Sequence, residues 1–111
     1  MEEMMIIKKE IKKMLKKEFG DEFCGCFYMN KKQMEKREAT IYVGCKMRND
    51  NEEFHQGGKI VLGKEFDERR KVRYEKLTKV LEKYGYKYES EIKYFGENWS
   101  CILEQHIRLY F

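Results

Sequence analysis

The sequence predicts an α+β fold, with two helices packed on one face of a four- or five-stranded antiparallel sheet and the order α-β-β-(β)-α-β-β. Three observations carry this expectation. Apolar residues recur at three- and four-residue steps in two long segments, 2–19 and 64–85. Apolar and polar residues alternate with a period of two around 39–47 and again across 86–111. A glycine stands just past each helical stripe, at Gly20 and Gly85, where a left-handed C-terminal cap favours it.

The 111 residues suit a single domain, 1–111, because no Pro-, Gly- or Ser-rich stretch divides them. Hydrophobic residues make up 41% of the chain, enough to fill one core, and aromatics are plentiful, which argues against disorder. Charged residues make up 40%, against about a quarter in ordinary domains, so nearly every solvent-facing position must be charged. The net charge of +4 permits an anionic partner without demanding one. The opening MEEMMIIKKE is acidic first, and its apolar run is too short for a signal-peptide core. No run is long enough for a membrane span, so the expectation is a cytoplasmic chain with reduced thiols and no membrane partner.

In the first helix, Met4, Ile7, Ile11, Met14 and Leu15 form one stripe, with Phe19 at its edge. Lys8, Lys9, Lys12, Lys13, Lys16 and Lys17 fan across the opposite half and make one basic face. The β-like run EFCGCFYMN follows, then the polar KKQMEKRE, then ATIYVGCKM, where Ile41, Val43, Cys45 and Met47 alternate with Thr40, Tyr42, Gly44 and Lys46. These runs read as a hairpin with a loose, charged connection. Residues 48–58, RNDNEEFHQGG, have no apolar periodicity and the length at which loops are often functional. KIVLG supplies the optional third strand.

The second helix carries Phe66, Tyr74, Leu77, Val80, Leu81 and Tyr84, with Asp67 and Glu68 in its first turn and Lys79 and Lys83 near its last, the charge order that suits the helix dipole. The final hairpin is the clearest signal. Tyr86, Tyr88, Ser90, Ile92 and Tyr94 share one face of its first strand and Lys87, Glu89, Glu91 and Lys93 the other. After GEN, Trp99, Cys101, Leu103, Ile107, Leu109 and Phe111 alternate with Ser100, Glu104, His106 and Arg108. The expected core is Ile7, Ile11, Leu15, Phe27, Ile41, Val43, Val61, Leu77, Leu81, Ile92, Leu103 and Ile107.

No motif supports catalysis or a metal. Cys24 and Cys26 form one C-x-C pair, but structural zinc uses paired C-x₂₋₄-C knuckles, and in a flat strand the two side chains would point to opposite faces. Buried, reduced thiols are the simpler reading for Cys24, Cys26, Cys45 and Cys101. His55 and His106 read as surface histidines, since no nucleophile motif accompanies them. NDNEEFHQGG lacks the sixth-position glycine of a calcium loop, and GGK lacks the spacing and the Ser/Thr of a phosphate loop.

Up to Tyr84 the order α-β-β-β-α resembles the double-stranded-RNA-binding domain. That family grips phosphates with a lysine-rich N-terminal end of its second helix. Here the corresponding stretch is KEFDERR, with Asp67 and Glu68 at that end.

The resulting expectation is a small non-enzymatic binding protein with no cofactor. In size and charge it suits a phage or mobile-element inhibitor, anti-CRISPR-like, that modulates a nucleic-acid-processing host enzyme by protein–protein contact. Candidate partner-binding residues are Lys9, Lys13 and Lys16, then Asp50, Glu52, Glu53 and His55, and Arg69, Arg70 and Arg73 of RRKVR. Exposed Tyr and Trp of the last hairpin would serve as anchors. The alternative is direct RNA or DNA binding through the lysine face and RRKVR; a remoter one is a thiol enzyme using Cys24, Cys26 or Cys101.

Overall fold

The structure, a computed structural model, describes residues 2–45, 55–56, 59–60, 64–94 and 102–111. The elements are α1 (Glu2–Phe19), a 3₁₀ turn (Cys24–Cys26), β1 (Phe27–Tyr28), α2 (Lys31–Lys36), β2 (Glu38–Cys45), β3 (His55–Gln56), β4 (Lys59–Ile60), α3 (Lys64–Lys83), β5 (Lys87–Tyr94) and β6 (Ile102–Tyr110). The fold class is α+β, as the periodicities predict. Four strands form an antiparallel sheet in the order β1-β2-β6-β5, so the N-terminal and C-terminal strand pairs join along β2 and β6.

Register explains which side chains meet. Phe27, Ile41, Ile107 and Ser90 lie in one row across the four strands, and Tyr28, Thr40, Arg108 and Glu89 lie in the next. Because side chains alternate between faces, the first row belongs to the core and the second to the opposite face. Ala39, Ile41, Val43, Ile107 and Leu109 are buried in one cluster with Met4, Ile11, Met14 and Leu15 of α1 and Leu77, Val80 and Leu81 of α3. Both long helices therefore cover the same face of the sheet. Their ends are closed by glycine as expected. Gly20 (φ 68°) donates its N–H to the Lys16 carbonyl at 2.9 Å. Gly85 (φ 77°) donates to Glu82 at 3.1 Å while Tyr86 reaches back to Leu81 at 3.0 Å, a Schellman pair of bonds.

Four expectations are corrected. The run EFCGCFYMN is mostly not a strand: Cys24–Cys26 form a 3₁₀ turn, and only Phe27 and Tyr28 pair with β2. The polar connection KKQMEKRE is not loose but contains α2. Asn30 accepts from the Gln33 N–H at 2.8 Å, and Gln33 Oε1 accepts from the Asn30 N–H at 3.0 Å, a reciprocal capping box. Of KIVLG, the described Lys59 and Ile60 do not join the main sheet but pair with Gln56 and His55 in a separate ribbon, and residues 61–63 lie outside the described residues. The likeness to the RNA-binding domain does not hold even in element order, since α2 separates β1 from β2, and β2 has β6, not a third N-terminal strand, as its second neighbour.

Among the expected core residues, Ile11, Leu15, Phe27, Ile41, Val43, Leu77, Leu81 and Ile107 are buried. Ile7 is half-buried against the cluster. Ile92 is 41% exposed, because on the edge strand β5 it stands beside Gln105, where the core turns polar. Val61 and the side chain of Leu103 lie outside the described residues, as do Trp99 and the GEN turn.

α2 is short, so its cap matters. Asn30→Ala is expected to cost about 1 kcal/mol, read as a lower urea midpoint with unchanged slope. Arg37 closes α2 in the left-handed region (φ 57°, ψ 50°) and ties it to the rest of the fold. Its carbonyl accepts from the Phe111 N–H at 3.0 Å, its Nε donates to the Phe111 carbonyl at 3.0 Å, and its guanidinium meets Glu3 at 3.2 Å. That hydrogen bond and charge hold the Glu3 carboxyl below its ordinary value.

Candidate functional site

The outer face of α1 is the strongest candidate surface. Burying Met4, Ile11, Met14 and Leu15 fixes the helix's rotation, and the lysines must then face water. Lys9, Lys12, Lys13, Lys16 and Lys17 are exposed and Lys8 is half-buried. Two apolar residues share that face: Met5 is 51% and Ile6 57% exposed. At 3.6 residues per turn, Met5, Ile6, Lys9, Lys13 and Lys16 fall within an arc of about 100°. The face is basic along its C-terminal two-thirds and apolar at its N-terminal end. The apolar half was legible in MMII at 4–7, since four consecutive apolar residues cannot all point to one side of a helix.

Where α1 ends it meets the end of α3. The Tyr84 hydroxyl donates to Glu18 at 2.9 Å, and Lys83 reaches the same carboxylate at 3.4 Å. The hydrogen bond from Tyr84 holds the Glu18 carboxyl below its ordinary value and pushes the phenol up. With the folded carboxyl depressed, this contact is complete above the carboxylate range and is lost as pH falls through the lowered value. Lys76 lies over the Phe19 ring at 4.8 Å and completes the junction.

RRKVR does not form one basic surface. Arg69 is exposed, and Arg73 is half-buried with its Nε donating to the Arg69 carbonyl at 3.3 Å. Arg70 points inward and is 4% exposed, with its guanidinium on the Gln105 side-chain oxygen. The expectation of Arg70 at a contact surface is corrected by the stripe of α3: residues 70, 74, 77 and 81 follow at four-, three- and four-residue steps, which places Arg70 on the core side. Asp50, Glu52 and Glu53 lie outside the described residues, and His55 is described only as backbone in β3.

Periodicity alone did not reveal the cluster on the sheet face away from the helices. Tyr42, His106 and Glu91 occupy one row across β2, β6 and β5. His106, expected at the surface, is 8% exposed. Its Nε2 contacts Glu91 at 2.5 Å, Arg108 takes the other Glu91 oxygen at 2.9 Å, and the Tyr42 ring packs edge-on at 5.3 Å. One carboxylate on β5 thus joins a histidine and an arginine that stand two residues apart on β6. These contacts fasten β6 to β5 and to β2 on the face away from the helices.

Cys24 and Cys26 are half-buried, their thiols directed at the Gly20 and Glu22 carbonyls at 3.6 and 4.0 Å. Cys26 packs on the helix side of the sheet and His106 on the other, so the sheet separates this thiol from the histidine. Among the described residues no three His, Cys, Asp or Glu side chains are grouped to hold a metal ion, and no helix is long and apolar enough to cross a membrane. No protein-family model, curated protein or solved structure matches the chain.

Proposed function

We propose that this is a small non-enzymatic binding protein that acts by contact with another protein, through the outer face of α1. What supports this reading is the composition of that face, Lys9, Lys13 and Lys16 beside exposed Met5 and Ile6. A nucleic-acid backbone neutralises lysines but gives little to two apolar side chains. A protein surface with carboxylates around an apolar patch satisfies both. Removing Met5 and Ile6 from water contributes on the order of 1.5–3 kcal/mol each when burial is complete, and the lysines chiefly accelerate encounter. Enzymes that process nucleic acids carry carboxylate-lined centres that hold divalent ions. A lysine-bearing helix seated on such a centre would block it, which suits an inhibitor of the kind mobile elements direct at host enzymes.

The test separates protein contact from nucleic-acid binding. Wild-type protein is expected to bind random duplex and single-stranded oligonucleotides no more tightly than about 100 µM at physiological salt, the weak end of non-specific binding. Replacing Lys9, Lys13 and Lys16 with Glu should leave the thermal midpoint nearly unchanged, since all three are exposed and glutamate is a comparable helix former. Micromolar, steeply salt-dependent oligonucleotide binding that vanishes in this triple variant would sink the proposal and establish nucleic acid as the partner.

A further inference from the structure

We infer that a notch between α1 and Tyr84 receives one apolar side chain, aromatic or aliphatic, from an acidic segment of the partner protein. The inference rests on α1 being a protein-binding surface and adds what that surface selects. The notch has a volume of about 220 Å³ and is lined by Glu10, Lys13, Met14, Lys17 and Tyr84.

Its size decides the class of occupant. Sites for small molecules run to roughly 300–1,000 Å³, whereas an apolar cavity of about 150 Å³ accommodates a benzene ring. The notch opens to solvent on its outer side, and the space it offers matches one large side chain. The lining decides the chemistry. The exposed Tyr84 ring forms the apolar wall and Met14, otherwise buried in the core, lies at the base, a lining that favours an aromatic or aliphatic guest. Lys13 and Lys17, one turn apart, line the notch with Glu10 as the acidic residue among the five. Lys9, Lys12 and Lys16 continue the positive charge along the same helix. The complementary segment therefore carries carboxylates on both sides of its apolar anchor. The wall is also built in advance, because the Tyr84 hydroxyl is bonded to Glu18 and Lys83 lies 5.6 Å from the ring centre. A preformed wall loses little entropy when the guest arrives.

Two short synthetic peptides test this. Both are rich in Asp and Glu; one has a single central Phe and the other has Ala in its place. Each is titrated into the full chain by fluorescence anisotropy, with methionine-methyl NMR spectra recorded in parallel. The Phe peptide is expected to bind about ten- to a hundred-fold more tightly, the range set by burying one such side chain, and to shift the Met14 methyl resonance. Tyr84→Ala should remove that gain while leaving the affinity for the Ala peptide unchanged, with the thermal midpoint confirming the fold. Tyr84→Phe keeps the ring and should keep most of the gain. The Lys9, Lys13 and Lys16 to Glu variant should lose both peptides. Equal, salt-dependent binding of the two peptides overturns the notch but leaves α1 as a protein-binding face. Binding of neither peptide also overturns it, and, combined with tight oligonucleotide binding, removes the underlying reading as well.

Discussion

Ile107→Ala is expected to lower stability by about 2–5 kcal/mol and the thermal midpoint by roughly 10–20 °C. Ile107 is fully buried at the middle of β6, between Ile41 of β2 and Ser90 of β5. It therefore sits where the two halves of the chain meet. Truncation removes its transfer free energy and leaves a void that the paired strands on either side cannot close. Domains of this size are stabilised by only about 5–15 kcal/mol in all, so one such substitution brings the fold near its limit. Ile92→Ala serves as the control. Ile92 is 41% exposed on an edge strand, and its loss should stay within about 0.5 kcal/mol. Chemical denaturation of both variants checks the assignment, and similar costs would mean that β6 is not the central strand.

The elements that were legible in the sequence are those whose burial follows a simple period. α1 begins and ends where its stripe and Gly20 place it, and α3 and the β5–β6 pair lie where the second stripe and the alternation put them. The elements that were missed have causes outside periodicity. α2 spans six residues and has no fully buried side chain, so no stripe announces it; its signal was Asn30 three residues before Gln33. The 3₁₀ turn at Cys24–Cys26 contains a glycine and two small thiols, a composition equally suited to a strand. The joining of β2 to β6 is a long-range pairing, which local sequence does not encode. It follows only once both strands have a face to bury against the same helices.

The candidate site shows a similar division. A lysine face opposite an apolar stripe is visible on a helical wheel, and Lys9, Lys13 and Lys16 are where that wheel puts them. The notch is different, because it forms between the C-terminal half of α1 and Tyr84, just past the end of α3, which reaches it only through tertiary packing. Likewise, Glu91 joins His106 and Arg108 across two strands whose register was not known from the chain.

The second large effect concerns the polar end of the core. Arg70 is 4% and Gln105 2% exposed, and they meet on the helix side of the sheet. Gln105 Nε2 also donates to Ser90 Oγ at 3.0 Å, so one amide joins α3, β6 and β5. Gln105→Leu keeps the volume but withdraws one acceptor from a buried guanidinium, at an expected cost on the order of 1–3 kcal/mol. Arg70→Met together with Gln105→Leu replaces both partners with apolar side chains of similar reach. That double variant should be more stable than Gln105→Leu alone, because the buried donor is removed together with the acceptor it shared with Gln105. A double-mutant cycle measured by urea denaturation gives the coupling, expected at about 1–3 kcal/mol. Additive costs would show that Arg70 is held by other contacts and that Gln105 is incidental to it. The same cycle bears on binding. Because Arg70 is buried away from α1's outer face, Arg70→Met should leave the Phe-peptide affinity unchanged at temperatures where the variant is folded. A loss of affinity without unfolding would return Arg70 to the contact surface.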